Sequence, residues 1–488
     1  MNSSEIILHP QIIPTVLIPL TALSVALSAL ATFIAALFGI KLRAEGPKKL
    51  LEVLLKPKIL ITAILANLAI IGGIKAFDYY RNLPSFEFRI SMTQGRLAEG
   101  SNADYPNVHQ QSPAPVVNES GPSLKLELTE IANVSMKDGS FRGAVVSGDQ
   151  FFVGSDEGYV FEYLLPSLEL KRKFFVGSKV SPAPIIFNQK LFVGEGTHNT
   201  HHARIYRFDL KTGDFDGAIQ TKGHTEGQAV VAEDQGKALI FGVAGSDGVI
   251  AADPVSLKKV WHQIDGHTDA AVRVHDGLVF SGSGREKNDG KSYRAYATAY
   301  DFHSGKKVWQ RELPASSWMQ PAAYNSQVCF VFGEVYFKSN IGGFACYDSK
   351  TGATRTSYMH SQPVVAVPII VGDDLVISDF MGSVCRVSML TGKQKWCRAT
   401  SEMKSSLANA VYDSEHHVLV YPSRKDGLYV LNPRNGDIIL NWKPQGEEWN
   451  ESLAPVAISN WGWILTDMKG KIRLLKPTLN LSAKLDKR

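Results

Sequence analysis

The chain has 488 residues, of which 44% are hydrophobic and 20% are charged, so it can build a large core and is neither disordered throughout nor a disulfide-stapled miniprotein. Its formal net charge is +5, but residues 1–90 hold nine Lys and Arg against five Asp and Glu, which leaves 43 against 42 for residues 91–488. A nearly neutral domain has no broad basic face for phosphate backbones, so we expect no nucleic-acid partner.

Two uncharged apolar runs near the N-terminus predict transmembrane helices. The first covers residues 12–40 and exceeds the roughly 20 residues that cross a hydrocarbon core. A cleaved signal peptide is disfavoured there, because no Lys or Arg precedes Lys41 and the run is too long. The second run covers residues 59–77 if Lys75 snorkels to the interface, and a re-entrant or core helix is the alternative.

The loop between these runs is basic, with six Lys and Arg against two Glu in residues 41–58. Basic residues beside membrane spans stay in the cytoplasm, so the large C-terminal part is expected on the other side. We therefore predict a membrane anchor over residues 1–92 in a bacterial inner membrane, with the C-terminal domain in the periplasm. If the second run did not span, that domain would instead lie in the cytoplasm.

Residues 93–123 are rich in Gly, Ser, Asn, Gln and Pro and have no hydrophobic periodicity. Such a composition predicts a flexible polar linker between the membrane anchor and a globular domain over residues 124–488.

From residue 140 onward, a pattern of short strands with alternating hydrophobicity returns every 40 to 49 residues. Five copies share a tight turn that ends in glycine, at Gly213, Gly305, Gly352, Gly392 and Gly436. Three further copies are centred on Pro166, Pro254 and Pro477. Eight four-stranded units without helices between them predict an all-β, eight-bladed β-propeller, with seven blades as the alternative because the first unit is weak. A pair of β-sandwiches would not repeat at this spacing.

The innermost strand of seven units is expected in segments rich in small residues and proline: SPAPIIF, GQAVVAE, AAVRVHD, QPAAYNS, VAVPIIV, ANAVYDS and APVAISN. The segment LKLELTEI at residues 124–131 is expected to supply an extra edge strand that seals the ring.

The D-x-x-T-G hairpins, the Trp residues after several turns, the S-P-A-P strand and the 40–49-residue spacing resemble PQQ-like (quinoprotein-type) propeller repeats over about residues 140–488. Within that group the chain is more similar to BamB-type outer-membrane assembly factors and their relatives than to the enzymes. The resemblance implies a non-enzymatic scaffold that binds a protein partner on one propeller face. BamB-type proteins are lipid-anchored, whereas this chain has two apparent spans and no lipobox cysteine near its start, so the resemblance names no specific partner.

The resemblance also suggests a second function, that of a quinone-dependent dehydrogenase. The pocket of such an enzyme contains a vicinal disulfide and a Ca²⁺ ion. No two of the four cysteines are adjacent here, and no Asp-rich calcium loop is present. We therefore expect neither an enzyme nor a quinone cofactor.

The four cysteines form two candidate disulfides. Cys329 and Cys346 lie on consecutive predicted strands, as do Cys385 and Cys397, and an even count suits an oxidising compartment. Four buried free thiols are the alternative. A zinc site is disfavoured because the cysteines lack C-x-x-C spacing.

Five histidines are the candidate metal ligands, and they define the rival function of a metal-binding or redox head. In a propeller, loops between second and third strands open on the same face as segments that lead into innermost strands. The histidines fall in such segments, with Glu195 and Glu226 nearby: His198, His201, His202, His224 and His267. Imidazoles with a carboxylate suit Zn²⁺, Cu²⁺ or Ni²⁺. Alternatively, His224 and His267 only hydrogen-bond the neighbouring blade.

Two long loops, residues 282–296 and 333–344, are expected on that same face. Their basic and aromatic side chains suit a protein interface, with ordinary solvated loops as the alternative. The candidate interface residues are Arg285, Lys287, Tyr293, Tyr336 and Phe337.

Overall fold

A computed structural model describes residues 124–136, 143–180, 182–197, 200–284, 286–288, 292–334, 340–400, 408–452 and 454–481. Within these ranges there is no helix long and apolar enough to cross a membrane. The apolar runs at residues 12–40 and 59–77, like the linker at residues 93–123, lie outside the described residues.

The described residues form eight antiparallel sheets, seven with four strands and one with five, and these sheets are the blades of an eight-bladed β-propeller. Blade 1 contains β2 (Ala144–Ser147), β3 (Gln150–Gly154), β4 (Tyr159–Leu164) and β5 (Glu169–Phe175), and blade 2 contains β6 (Ile185–Phe187), β7 (Lys190–Gly194), β8 (Arg204–Asp209) and β9 (Phe215–Gln220). Blade 3 contains β10 (Val230–Asp234), β11 (Lys237–Val243), β12 (Val249–Ala252) and β13 (Lys259–Gln263). Blade 4 contains β14 (Arg273–His275), β15 (Leu278–Gly282), β16 (Glu286–Asn288), β17 (Ser292–Asp301) and β18 (Lys307–Leu313).

Blade 5 contains β19 (Ala322–Tyr324), β20 (Gln327–Gly333), β21 (Gly342–Asp348) and β22 (Thr354–His360). Blade 6 contains β23 (Ile369–Val371), β24 (Asp374–Ser378), β25 (Ser383–Ser388) and β26 (Gln394–Ala399). Blade 7 contains β27 (Val411–Asp413), β28 (Val418–Pro422), β29 (Leu428–Leu431) and β30 (Ile438–Trp442). Blade 8 contains β31 (Ala457–Ser459), β32 (Gly462–Thr466), β33 (Lys471–Leu481) and, as its outermost strand, β1 (Leu124–Ser135). Each of the seven segments expected to carry an innermost strand does so, in blades 2 to 8.

Blade 8 closes the ring with strands from both ends of the propeller. β1 pairs antiparallel with β33 from Leu124 opposite Leu481 to Ser135 opposite Lys471. The expected sealing strand is therefore present, and it removes the open edge that an unclosed sheet would expose.

The turn expected around Pro477 is wrong, because Pro477 lies inside β33 opposite Leu128. β33 pairs with β32 only as far as Leu475, so the strand beyond it has β1 as its one sheet neighbour. A proline is tolerated at such an edge because it removes no ladder hydrogen bond on the unpaired side. The fourth strand of this blade comes from the beginning of the domain instead of from a hairpin after Pro477.

The core lies between neighbouring blades, where apolar side chains of adjacent sheets interlock. Phe174 of blade 1 packs on Phe208 of blade 2 with ring centroids 5.3 Å apart, and Phe241 of blade 3 packs on Phe302 of blade 4 at 5.2 Å. In the strand second from the axis of most blades, nearly every residue is buried, as in β24 and β28. Such continuous apolar runs are expected of strands covered on both faces.

One face of the propeller, here called the turn face, carries the turns that join the third strand of a blade to the fourth. In these turns the amide of the final residue donates to the carbonyl of the residue four positions earlier, as Gly352 does to Asp348 at 2.9 Å. The five predicted turn glycines all have positive φ, which glycine adopts without strain. In the two Pro turns, Leu168 and Leu257 take this left-handed position.

Tryptophans of the outer strands dock on the turns of the following blade. Trp309 of blade 4 donates from Nε1 to the carbonyl of Ser349 at 2.8 Å, and its ring covers Gly352. Trp261 and Trp396 make the equivalent bonds to Phe302 and Pro433 at 2.9 and 3.1 Å. These contacts explain why Trp follows several of the turns in the repeat.

Candidate metal centre on the loop face

The opposite face, here called the loop face, brings together two kinds of segment. The loop after the second strand of each blade meets the segment that leads into the innermost strand of the next blade, here called a lead-in segment. Glu195, after β7, donates its amide to Oγ1 of Thr225 in the lead-in segment of blade 3 at 2.7 Å. Gly245 and Thr268 form an isolated antiparallel bridge between blade 3 and the lead-in segment of blade 4. The sequence predicted this convergence of the two segment types.

Two consecutive lead-in segments carry the same pattern, Gly-His-Thr followed by an acidic residue, at residues 223–226 and 266–269. In the structure, Asp269 of the second copy lies between the histidines of both copies. Its Oδ1 is 2.9 Å from Nε2 of His224, and its Oδ2 is 3.0 Å from Nε2 of His267. The two imidazole centroids are 5.3 Å apart.

Close backbone packing holds the two rings in place. A Cβ at Gly245, whose φ is +55°, would lie 2.5 Å from Cε1 of His224, so only glycine leaves room for this imidazole. The ring of His267 meets that of Trp318, in the next lead-in segment, edge to face with centroids 6.1 Å apart. Trp318 in turn covers Gly284. The bridge at Gly245 and Thr268 and these ring contacts fix the cluster from two sides.

The cluster is closed toward the core and opens to solvent at His267. The side chains of His224 and Asp269 are 6% and 2% exposed, whereas that of His267 is 20% exposed. Burial raises the pKa of Asp269, but the charge of His267 and the hydrogen bonds from both imidazoles outweigh burial and hold the pKa of this carboxyl well below its ordinary value. Asp269 is therefore a buried carboxylate whose charge the imidazoles compensate.

His224, His267 and Asp269 are a set of metal-ligating side chains, each offering one donor atom, with these atoms within 4.8 Å of one another. No second group of three such residues occurs in the described ranges of the chain. Two imidazoles and a carboxylate can hold a divalent transition metal. The sequence pointed to both histidines but missed Asp269, although the acidic residue two positions after each histidine was a signal for it.

The other candidate histidines are not part of this set. His201 and His202 are exposed on the loop of blade 2, and His198 lies outside the described residues. Glu195, which was expected near the histidines, is instead held by neighbours on its own blade: Arg204 Nε lies 3.0 Å from Oε1, and the Tyr206 hydroxyl donates to Oε2 at 3.2 Å. Burial and the Glu195 charge raise the pKa of Tyr206, which therefore stays protonated.

The loop of blade 4 that follows the second strand is a hairpin. β16 pairs with the start of β17, and Lys287 lies opposite Tyr293 in this register, although nothing is described of their side chains. Arg294, the next residue, forms an exposed ion pair with Glu312 at 3.1 Å. The other three candidate interface residues lie outside the described residues: Arg285, Tyr336 and Phe337.

Both cysteine pairs face each other across strands. Cys329 lies opposite Cys346 in blade 5, and Cys385 lies opposite Cys397 in blade 6. The structure joins each pair as a disulfide, with sulfur atoms 2.01 and 1.93 Å apart, and no free cysteine occurs among the described residues.

Comparison with known proteins supports the fold. The model of a family described as outer membrane protein assembly factor BamB matches residues 293–447, which cover most of blades 4 to 7. The crystal structure of BamB from Moraxella catarrhalis is similar with a TM-score of 0.57 and 15% identity, over 72% of this chain and 100% of that chain. The computationally designed protein Ika8 is similar with a TM-score of 0.57 and 11% identity, over 71% of this chain and 98% of that one. No curated protein matches the chain in sequence. The domain thus shares its β-propeller fold with these structures, and residues 293–447 match the BamB family model.

Proposed function

We propose that this protein is a non-enzymatic, membrane-anchored scaffold whose propeller binds a protein partner on the loop face during assembly of the bacterial cell envelope. The observation that carries the proposal is the match of residues 293–447 to a family described as an outer membrane protein assembly factor. The residues similar to an outer membrane protein assembly factor, 293–447, begin in the hairpin of blade 4 and include the long loop of blade 5. The match also contains the turns of blades 4 to 7 on the turn face, so the choice of the loop face rests on the exposed side chains described next.

The surface around these loops has the composition of a binding site. Ile264, Ile341 and Met359 lie on the loop face of blades 3 and 5 and are 61%, 38% and 58% exposed. Ile341 immediately precedes Gly342, which pairs with His360 beside Met359, so the two apolar side chains lie at one corner of blade 5. Exposed apolar side chains of this kind are typical of protein interfaces.

The proposed location is the inner membrane, with the propeller in the periplasm. It rests on the apolar runs at residues 12–40 and 59–77 and on the basic loop between them. Two cross-strand disulfides are consistent with an oxidising compartment, because thiols stay reduced in the cytosol. A partner would then be another extracytoplasmic protein or a periplasmic part of a membrane protein.

Site-specific photo-crosslinking in intact cells tests this function. A photoreactive residue at Met359, 58% exposed on the loop face, is compared with one at Leu390, which is 60% exposed in a turn of blade 6 on the turn face. We expect one defined adduct from position 359 and none from position 390. Mass spectrometry of the adduct identifies the partner.

Adducts only from position 390, or equal adducts from both positions, would contradict binding on the loop face. A cytoplasmic protein in the adduct would contradict the periplasmic location. As a second test, Met359→Asp is expected to reduce recovery of the partner about tenfold or more without changing the melting temperature, since a charge introduced into an apolar contact must be desolvated.

A further inference from the structure

We propose that His224, His267 and Asp269 bind a divalent first-row transition-metal ion, of which Zn²⁺ is the best fit. This inference does not rest on the scaffold function, because it depends on the donor atoms alone. It places the ion between two lead-in segments, so one metal would join the beginnings of blades 3 and 4.

The donor chemistry selects the class of ion. When a metal ion displaces the Nε2 protons to solvent, the two imidazoles become neutral nitrogen donors. Together with one carboxylate they form the set found in open zinc sites and in other sites for divalent transition metals. Ca²⁺ and Mg²⁺ are disfavoured, since both prefer a shell of oxygen ligands.

The distances fit a metal with little movement. The carboxylate oxygens lie 2.9 and 3.0 Å from the two Nε2 atoms, and all three donor atoms lie within 4.8 Å of one another. Ligands about 2.0–2.2 Å from a zinc ion are separated from each other by about 3–3.5 Å. The two carboxylate–imidazole distances are close to this ligand separation, so the three side chains can surround an ion after adjustments of about an ångström.

The site is preorganised by residues that do not bind the metal. Gly245 leaves room for the ring of His224, and the bridge between Gly245 and Thr268 ties the two blades together beside it. Asp269 is 2% exposed, and a buried carboxylate is costly unless positive charge or hydrogen bonds compensate it. A divalent ion supplies that compensation more strongly than two imidazole N–H groups do.

The exposed edge of the site gives the ion a route in. His267 is 20% exposed at the loop face, so an ion can reach the donors without the propeller opening. Three protein ligands leave at least one coordination position for water, as in zinc sites that are not closed by four side chains.

Other histidines of the propeller provide the control. His360 contacts Asp379 at 2.9 Å on the loop face, and His303 contacts Asp234 at 2.8 Å. Neither pair belongs to a group of three metal-ligating residues among the described residues. Substituting a histidine that is paired with only one carboxylate therefore serves as a negative control for substitutions in the cluster of two histidines and Asp269.

The test is metal binding to the full-length chain, purified in detergent without chelators. Zinc content is measured by mass spectrometry, and the chelator-stripped protein is titrated with Co²⁺ while its visible absorption is recorded. We expect one equivalent per chain and a d–d absorption band. Asp269→Asn and His267→Gln should each weaken Co²⁺ binding by more than about a hundredfold, beyond the loss caused by removing an outer-shell partner. His360→Gln should bind as the unchanged chain does.

Absence of stoichiometric Co²⁺ binding by the unchanged chain would overturn the proposal and leave a hydrogen-bonded His–Asp–His cluster. Binding that survives both Asp269→Asn and His267→Gln would overturn it as well. His267 is the more exposed ligand, so His267→Gln provides a folded test if Asp269→Asn does not fold. None of these results bears on the crosslinking at Met359, so this proposal and the scaffold function fail independently.

Discussion

The two faces of the propeller are built on opposite principles. On the turn face, successive blades repeat one device: a five-residue turn closed by the same backbone hydrogen bond, whose length is 2.7–2.9 Å in seven of the blades. On the loop face, the lead-in segments differ from blade to blade. Two of them carry Gly-His-Thr, the next carries Trp318, and blade 4 adds the hairpin of β16 and β17.

The difference shows where the repeat maintains the fold and where the chain departs from it. A contact that recurs in many blades stabilises the ring and has no specificity for a ligand. A side-chain arrangement that occurs at one position of the ring, as at Asp269, adds nothing that the other blades need in order to fold. Departures from a repeat are therefore the places to look for function, which resides in sites built on folds.

The strongest test of this contrast compares two tryptophans nine residues apart on opposite faces. Trp309 is 5% exposed, docks on the turn of blade 5 and donates to Ser349, so Trp309→Ala should lower the free energy of unfolding by about 3–5 kcal/mol. Trp318 lies partly exposed on the loop face, and Trp318→Ala should cost about 1–2 kcal/mol. Denaturant unfolding of the full-length chain measures both.

Equal losses from the two substitutions would show that the loop face also stabilises the ring, and the division into a repeated and a variable face would fail. Blade 5 is an exception on the turn face, because Thr356 donates to the carbonyl of Leu390 in the next turn, where blades 3, 4 and 6 use Trp. The contact between the outermost strand of one blade and the turn of the next blade can therefore be weaker in one blade without loss of the propeller fold.

Much of the ring could be predicted because turns require particular residues at fixed positions. Glycine at the left-handed position of five turns, as at Gly213, marks the same point in each of these copies and so indicates the blade boundaries. The small residues before each innermost strand mark the crowded axis. Both signals are local in the sequence, and the structure confirms them.

What could not be predicted depends on contacts between distant segments. Pro477 looked like the Pro turns at Pro166 and Pro254, but the pairing of β33 with β1, more than 300 residues away, determines its role. Asp269 contacts His224 across 45 residues of sequence and two lead-in segments. A single sequence places both histidines on one face but does not show which carboxylate lies between them.

A second pair of substitutions sharpens the comparison by adding one methyl group on each face. Gly352 has φ +67° and a Cβ there would lie 2.6 Å from Cδ2 of Trp309, so Gly352→Ala should cost about 2–4 kcal/mol from backbone strain and overpacking. At Gly284 the added methyl would meet the outer end of the Trp318 ring, which is partly exposed and can move. Gly284→Ala should therefore cost about 1 kcal/mol. Denaturant unfolding compares the two, and a larger loss at Gly284 would contradict the expected tolerance of the loop face.

The smallest expected effect concerns the acidic residues that begin the turns. Side-chain and backbone hydrogen bonds from Ser304 lower the pKa of Asp301, and a hydrogen bond from Lys190 lowers the pKa of Asp209 to about 2. A carboxyl whose pKa is depressed in the folded state stabilises the fold above the unfolded pKa of about 3.9 and loses that contribution as the pH falls through the folded value. Turn stability should therefore decline between about pH 4 and pH 2.

Blade 7 supplies the matched variant, because Asn432 begins its turn and accepts the amide of Arg434 at 2.9 Å without titrating. Asp301→Asn should keep the hydrogen bonds of the turn and should change the free energy of unfolding at pH 7 only slightly. Below pH 4, the free energy of unfolding should decrease less in this variant than in the unchanged chain. Denaturant unfolding at pH 7, 4 and 3 measures this. An unchanged slope would show that Asp301 contributes through geometry alone, as Asn432 does, and that acid sensitivity arises elsewhere in the ring.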